Sequence, residues 1–425
     1  MINQKSIDAV NQSLFSKQFK KPLYESFCFS RIPASVLTLL TGQKKEEALP
    51  SSCFLGGEET YDFVLFLFLD GLPWRLFEKH SDHPFFRRFI EKGVVSKTTA
   101  QFPSTTAAQV TTIHTGLEVG QTGIYEWFQY EPQVDRMIAP LLFSYAGDLV
   151  VESLRTSGVP SADFFPFHTI YQDLHSLHVS SFLFQHAGIC STPYSQSLGK
   201  GAHLLSYFNL AQGLQGVQEV IHEERAEKAY AMLYYADIDS VGHRKGPNSN
   251  EMEQTILHCL DVLEQELMLK ISNPKKKVAL LVSADHGMSS VHPKKTLYVN
   301  REIPQFSSLL KVGRNGKPLT PAGSCRDCFF HIKEECLDEA ALLLEESVKG
   351  KAEVWRVEEL IQQGFFGAKP VSSRFLQRVG NLVALSYEEE GIWWYEKHRF
   401  EQHFYGAHGG LTSSELETPF LFLPL

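Results

Sequence analysis

No apolar run in the chain reaches the ~18 to 20 residues that a bilayer-spanning helix needs. The densest stretch, Phe63-Val64-Leu65-Phe66-Leu67-Phe68-Leu69, has the length of a strand. Positive charge is also scarce: 40 Lys and Arg stand against 49 Asp and Glu, a net charge of -9. That balance disfavours coating of a nucleic-acid duplex, which relies on a concentrated positive field. A small anionic substrate stays open, provided local cations or metals invert the field. Cysteines number seven, an odd count scattered through 425 residues, which fits reduced thiols rather than a disulfide framework. There is no repeat or low-complexity tract. Met1-Ile2-Asn3-Gln4-Lys5-Ser6-Ile7-Asp8 contains no apolar core of the kind a secretory signal requires, so a chain that begins there is expected to stay in the cytoplasm.

What is present is a globular composition, 43% hydrophobic and 12% aromatic. Residues 1–60 mix polar and apolar stretches without a sustained period and read as an extension packing on the core, with a loop over Thr41 to Glu59. From Tyr61 to the C-terminus the pattern is that of one α/β domain. Phe63 to Leu69 reads as a fully buried parallel strand that delivers Asp70 to its carboxyl end. Gly93 to Ala100 leads into Pro103-Ser104-Thr105-Thr106, followed by a helix-permissive segment that stops at Gly116. Ala229 to Ala236 runs into Asp237-Ile238-Asp239, and Lys277 to Ala284 runs into Asp285-His286-Gly287. Between these two units Asn250 to Lys270 carries leucines and isoleucines at helical spacing. Strands alternating with helices predict a mostly parallel central sheet with helices on both faces, and ligands of such sheets bind beyond the carboxyl ends of the strands. Residues 125–215 break this rhythm and read as an inserted cap.

Four strand ends and one late loop supply Asp70, Thr106, Asp239, His243, Asp285, His286 and His408. Taken singly, an Asp at a strand end is a cap or turn former and a His is a satisfied buried or surface residue. Together, carboxylates mixed with imidazoles suit zinc or manganese, and two such clusters suit a two-metal site. Asp239 and His243 are four positions apart, close enough to reach one ion. Asp237 competes with Asp239 but reads as a capping acid. Thr106 falls at a helix N-terminus, where free N–H groups and the helix dipole favour an anion, and a coordinated metal would make its hydroxyl a nucleophile. The competing reading is that Thr105 and Thr106 both cap that helix.

In their order, Leu69-Asp70-Gly71, Pro103-Ser104-Thr105-Thr106 with Thr115-Gly116, Asp239-Ser240-Val241-Gly242-His243, Asp285-His286-Gly287-Met288 and His408-Gly409-Gly410 resemble the motif series of the alkaline phosphatase superfamily. Its type I phosphodiesterase/nucleotide pyrophosphatase branch is the most similar. The resemblance implies an alkaline-phosphatase-like fold and two divalent metal ions, zinc or alternatively manganese. It assigns one ion to Asp239, His243 and His408, and the other to Asp70, Thr106, Asp285 and His286. Thr106 would attack phosphorus and form a phosphothreonine intermediate on a small phosphorylated substrate, a nucleotide among the candidates. In one place the chain departs from the family: in Gly123-Ile124-Tyr125-Glu126-Trp127, Trp127 stands where the phosphodiesterases carry an asparagine that holds a phosphoryl oxygen. Tyr125 and Trp127 are candidates to stack on a flat leaving group, the competing reading being packing at a cap hinge, and Arg326 to contact an anionic substrate, the competing reading being a surface or buried ion pair. The alternatives to a diesterase are a phosphomonoesterase with the same site and a non-catalytic metal or nucleotide binder.

Overall fold

A computed structural model describes residues 1–55, 59–222, 227–271 and 276–425. Residues 56–58, within the stretch read as a loop, lie outside the described residues. The seven strands of the central sheet are β1 (Phe63–Leu69), β2 (Val94–Thr99), β3 (Val179–His186), β4 (His203–Tyr207), β5 (Lys228–Tyr235), β6 (Val278–Ser283) and β7 (Glu417–Pro424), in the order β2-β7-β6-β1-β5-β3-β4. β7 runs antiparallel to both its neighbours, and the other pairings are parallel.

β1 lies at the centre because both its faces are apolar. Val64, Phe66 and Phe68 enter one hydrophobic cluster and Phe63, Leu65, Leu67 and Leu69 another, the period-2 alternation of a strand covered on both sides. Helices 32–41, 170–176 and α1 (Thr106–Thr115) contribute Val36, Leu40, Leu174, Val110 and Ile113 to the first cluster. Helices 84–92, 210–222 and α3 (Asn250–Val262) contribute Phe85, Phe89, Leu214, Val217, Ile256 and Leu260 to the second. Burying each such side chain is worth about 1.5–3 kcal/mol. These two layers fix the register that positions the site: Leu69 pairs with Tyr235 and Phe68 with Ser283, so the carboxyl ends of β1, β5 and β6 finish level.

The reading of residues 125–215 as one inserted cap is corrected by this topology. β3 and β4 fall inside that range and belong to the central sheet. Within that range only the strands 129–131, 136–139 and 144–145 form a separate sheet, and its Ile138 and the adjoining Phe143 join the cluster that covers β1. A separate four-stranded antiparallel sheet comes from residues 322–386 and packs over its own core, which includes Phe329, Phe330, Leu344 and Leu385. Residues 1–55 are tied to the central body by single bridges from Ile2 to Val95, Phe19 to Thr412 and Cys28 to Thr99. All seven cysteines are unpaired. No helix among the described residues is long and apolar enough to cross a membrane.

Candidate active site

Asp70 follows β1, Asp285 and His286 follow β6, and Asp239 and His243 sit on α2 (Asp237–Lys245), the helix that begins as β5 ends. α2 forms there because Asp237 and Asp239 occupy its first turn and His243, Arg244 and Lys245 its last, the charge order its dipole favours. The i, i+4 spacing then places Asp239 and His243 on one face, with His243 Nε2 3.3 Å from Asp239 Oδ1. Gly71 lets α2 approach: its φ is +73°, and a Cβ there would lie 2.9 Å from the Cα and Cβ of Asp239.

The three histidines are oriented alike. His243 Nδ1 donates to Gly406 O (2.8 Å), His286 Nδ1 to Gly287 O (2.8 Å) and His408 Nδ1 to Ser104 O (3.0 Å). A carbonyl only accepts, so each Nδ1 carries a proton and each ring turns its Nε2 toward the other site residues. The Nε2 atoms of His243 and His408 face each other at 3.1 Å, and the rings of His286 and His408 stack at 3.5 Å. Burial, then His286 and His243, hold His408 well below the usual imidazole range.

The carboxylates are equally unfinished. Asp70 Oδ2 accepts from the Tyr234 hydroxyl, and Asp285 Oδ1 from the N–H groups of Gly71 (3.1 Å) and His286 (3.0 Å). Asp70 Oδ1, Asp239 Oδ1 and Asp285 Oδ2 are buried without any hydrogen-bond partner. Burial, and then the Asp285 and Asp239 charges, push Asp70 well above the usual carboxylate range, and burial raises Asp285 as well. Like charges packed with imidazole nitrogens are unfavourable as they stand and become favourable around a dication. The ligand atoms of Asp70, Asp285 and His286 lie within 4.8 Å of one another, as do those of Asp239, His286 and His408. The donor set therefore fits two divalent ions, with His286 within reach of both groups.

Thr106 opens α1, but Thr105 is its cap, accepting from Ala107 N at 3.2 Å. That leaves the Thr106 hydroxyl free to meet His286 Nε2 at 3.0 Å. Asp237 is exposed on the first turn of α2, whose cap position is Ala236 and which has no side-chain cap hydrogen bond.

The substrate contacts read from the sequence fare differently. Tyr125 is fully buried, edge-on to Phe329 and Phe375, with its hydroxyl donating to Arg378 O. Arg326 is fully buried in a bidentate pair with Glu415, 2.9 Å at both contacts, and also donates to main-chain carbonyls. Neither side chain is open to a ligand, because each satisfies the core of the 322–386 lobe. Trp127 is 39% exposed. Sequence reasoning missed Tyr234, whose only signal is its place on β5 beside the Asp70 strand.

The profile of the type I phosphodiesterase/nucleotide pyrophosphatase family matches residues 64–411, and the chain belongs to that family. Family membership makes it a hydrolase of the phosphodiesterase/pyrophosphatase type. Murine ectonucleotide pyrophosphatase/phosphodiesterase 5 superposes with a TM-score of 0.62 at 18% identity, over 85% of this chain and 87% of that one. An inactive threonine-to-alanine variant of the murine protein, in complex with AMP, gives the same TM-score of 0.62 at 19% identity, over 85% and 87% of the two chains. Phosphonoacetate hydrolase from Sinorhizobium meliloti 1021, in complex with phosphonoacetate, has a TM-score of 0.58 at 18% identity, over 84% and 89%. No curated protein matches the sequence.

Proposed function

We propose that the protein hydrolyses a phosphodiester or nucleotide pyrophosphate bond through a phosphothreonine intermediate on Thr106. The observation that carries this reading is the convergence of unpartnered carboxylate oxygens and three imidazole Nε2 atoms on the Thr106 hydroxyl, which meets one of them at 3.0 Å. Asp239, His243 and His408 would hold one divalent ion, and Asp70, Asp285, His286 and Thr106 the other, zinc or alternatively manganese. When bound, the ions lower the hydroxyl pKa of Thr106 and offset the charge of the transferring group.

Thr106 Oγ1 attacks phosphorus in line, forming an Oγ–P bond as the bond to the leaving oxygen breaks. Water then adds to phosphorus and breaks the Oγ–P bond, restoring the threonine hydroxyl. Thr106 is the first residue of α1, whose N-terminal dipole favours negative charge on the reacting group. Tyr234 keeps the second oxygen of Asp70 occupied, so that Oδ1 stays turned toward the site. The murine relative, whose threonine-to-alanine variant is inactive and holds AMP, supports both the nucleophile and a small nucleotide-like substrate. The free cysteines support a reducing compartment such as the cytoplasm.

The test is hydrolysis of a chromogenic phosphate diester and monoester in parallel, with added zinc or manganese, by wild type and Thr106→Ala. Diester cleavage abolished by the substitution is expected. Preferential monoester cleavage with the same Thr106 dependence would replace the diesterase reading by a phosphatase, and activity indifferent to Thr106 would overturn the mechanism.

A further inference from the structure

The turn that carries Thr106 and the turn that carries His408 are joined through one residue. Ser104, two positions before Thr106, is fully buried and lies against Gly409 and Gly410. Its main chain makes two bonds to the second turn: Ser104 N donates to Gly409 O at 3.2 Å, and His408 Nδ1 donates to Ser104 O at 3.0 Å. Its hydroxyl makes two more. Oγ donates to Gly410 O at 2.7 Å and accepts from Gly409 N at 3.2 Å, so the only proton of the hydroxyl is committed to the 408–410 turn.

That turn has no side chain of its own to lock it beyond His408, because glycines follow at 409 and 410 and Gly409 has a φ of +130°. Hydrogen bonds therefore set its place. Gly410 N is held by Glu415 Oε1 at 3.0 Å, and Ser104 supplies the four bonds that tie it to the nucleophile turn. A displacement of the turn reaches both groups of ligand atoms, since the His408 ring stacks at 3.5 Å on His286, whose Nε2 meets the Thr106 hydroxyl. The Ser104 hydroxyl itself serves main-chain atoms, which leaves it neither a metal ligand nor a substrate contact.

We propose, on the two-ion phosphothreonine reading of the site, that Ser104 is a positioning residue whose hydroxyl sets the Thr106 nucleophile against the ion group of Asp239, His243 and His408. Removing the hydroxyl leaves Gly409 N and Gly410 O without the partner they have now. The main-chain bonds of Ser104 and the hold of Glu415 on Gly410 remain, so the turn persists and its register against Thr106 is what loosens. Groups that orient a metal ligand from its far side change affinity or activity by about 10–100-fold when removed.

The experiment uses the full zinc-loaded chain as wild type, Ser104→Ala, Ser104→Thr and Thr106→Ala. Hydrolysis of a chromogenic phosphate diester gives kcat and KM, and elemental mass spectrometry after graded EDTA treatment gives the zinc retained per folded molecule. Ser104→Ala is expected to lower kcat about 10–100-fold with KM little changed, and to release one of two zinc equivalents at an EDTA concentration lower by about the same factor. Ser104→Thr, which keeps the hydroxyl, is expected to recover both. Wild-type kcat and zinc retention in Ser104→Ala would overturn the proposal. So would a Ser104→Ala chain that only melts earlier or does not fold, which would make the serine a fold anchor, and so would a folded Ser104→Thr no better than Ser104→Ala. Thr106→Ala separates this failure from that of the reading beneath it: if Thr106→Ala stays active the phosphothreonine mechanism falls, while zinc retention by Ser104→Ala still decides the role of the serine.

Discussion

Two kinds of buried polar cluster lie within a few residues of each other. Arg326 with Glu415, and Arg378 with Glu131, are ion pairs closed by their own partners. Asp70, Asp239 and Asp285, with His243, His286 and His408, leave donor atoms bare and pointed at one another. Both are expensive to bury, and the difference is who completes them. A cluster completed by the protein holds the fold, whereas one left incomplete waits for a ligand. Side-chain identity does not separate the two, which is why Arg326 reads from the sequence either as a substrate contact or as half of an ion pair, and the structure shows it in a buried pair with Glu415.

The comparison breaks most visibly at His286, whose Nε2 faces both groups of ligand atoms. His286→Ala is expected to lower kcat/KM by at least ~10³-fold and to deplete more metal than His243→Ala, measured by steady-state kinetics and elemental analysis. Equal depletion by the two substitutions would remove the shared role of His286.

Arg326→Met should act on the other side, costing about 3–5 kcal/mol of stability because Glu415 is left charged and unpaired. Denaturant unfolding of the variant would show this, with metal content per folded molecule unchanged. A smaller effect comes from His114 and His331, which burial holds neutral down to about 3 and about 4 against an ordinary 6.5. The unfolded chain takes up protons that these rings refuse, so stability falls as pH drops below 6.5. Each ring contributes about 1.4 kcal/mol per pH unit until its folded pKa is reached. His114→Gln should flatten that slope by one ring's share in melts between pH 6.5 and 5. Asp237→Ala, on an exposed first turn, should change melting least of all.

Much of this was legible because buried parallel strands read as continuous apolar runs. Phe63–Leu69 is the strand the sequence predicts, and the expected strands at 93–100, 229–236 and 277–284 differ from β2, β5 and β6 by a residue at each end. Their polar carboxyl-end residues marked the site directly. β3 and β4 were hidden: Val-Ser-Ser-Phe mixes small polar residues into a central strand, and β4 is an edge strand with exposed His203 and Ser206. The expected helix over 250–270 is α3 to Val262 continued by a π-helical turn over 263–268. Ser104 could not be joined to His408 from the sequence, because they are 304 positions apart and only the fold brings them together.

The central claim is that the bare atoms exist to hold two metal ions. Elemental mass spectrometry of zinc-supplemented protein tests it most directly, on wild type, His243→Ala and Asp237→Ala side by side. The account predicts close to two transition-metal equivalents on wild type and on Asp237→Ala, and one on His243→Ala. A content near zero that neither zinc nor manganese restores, or loss of an ion from Asp237→Ala but not from His243→Ala, would contradict it.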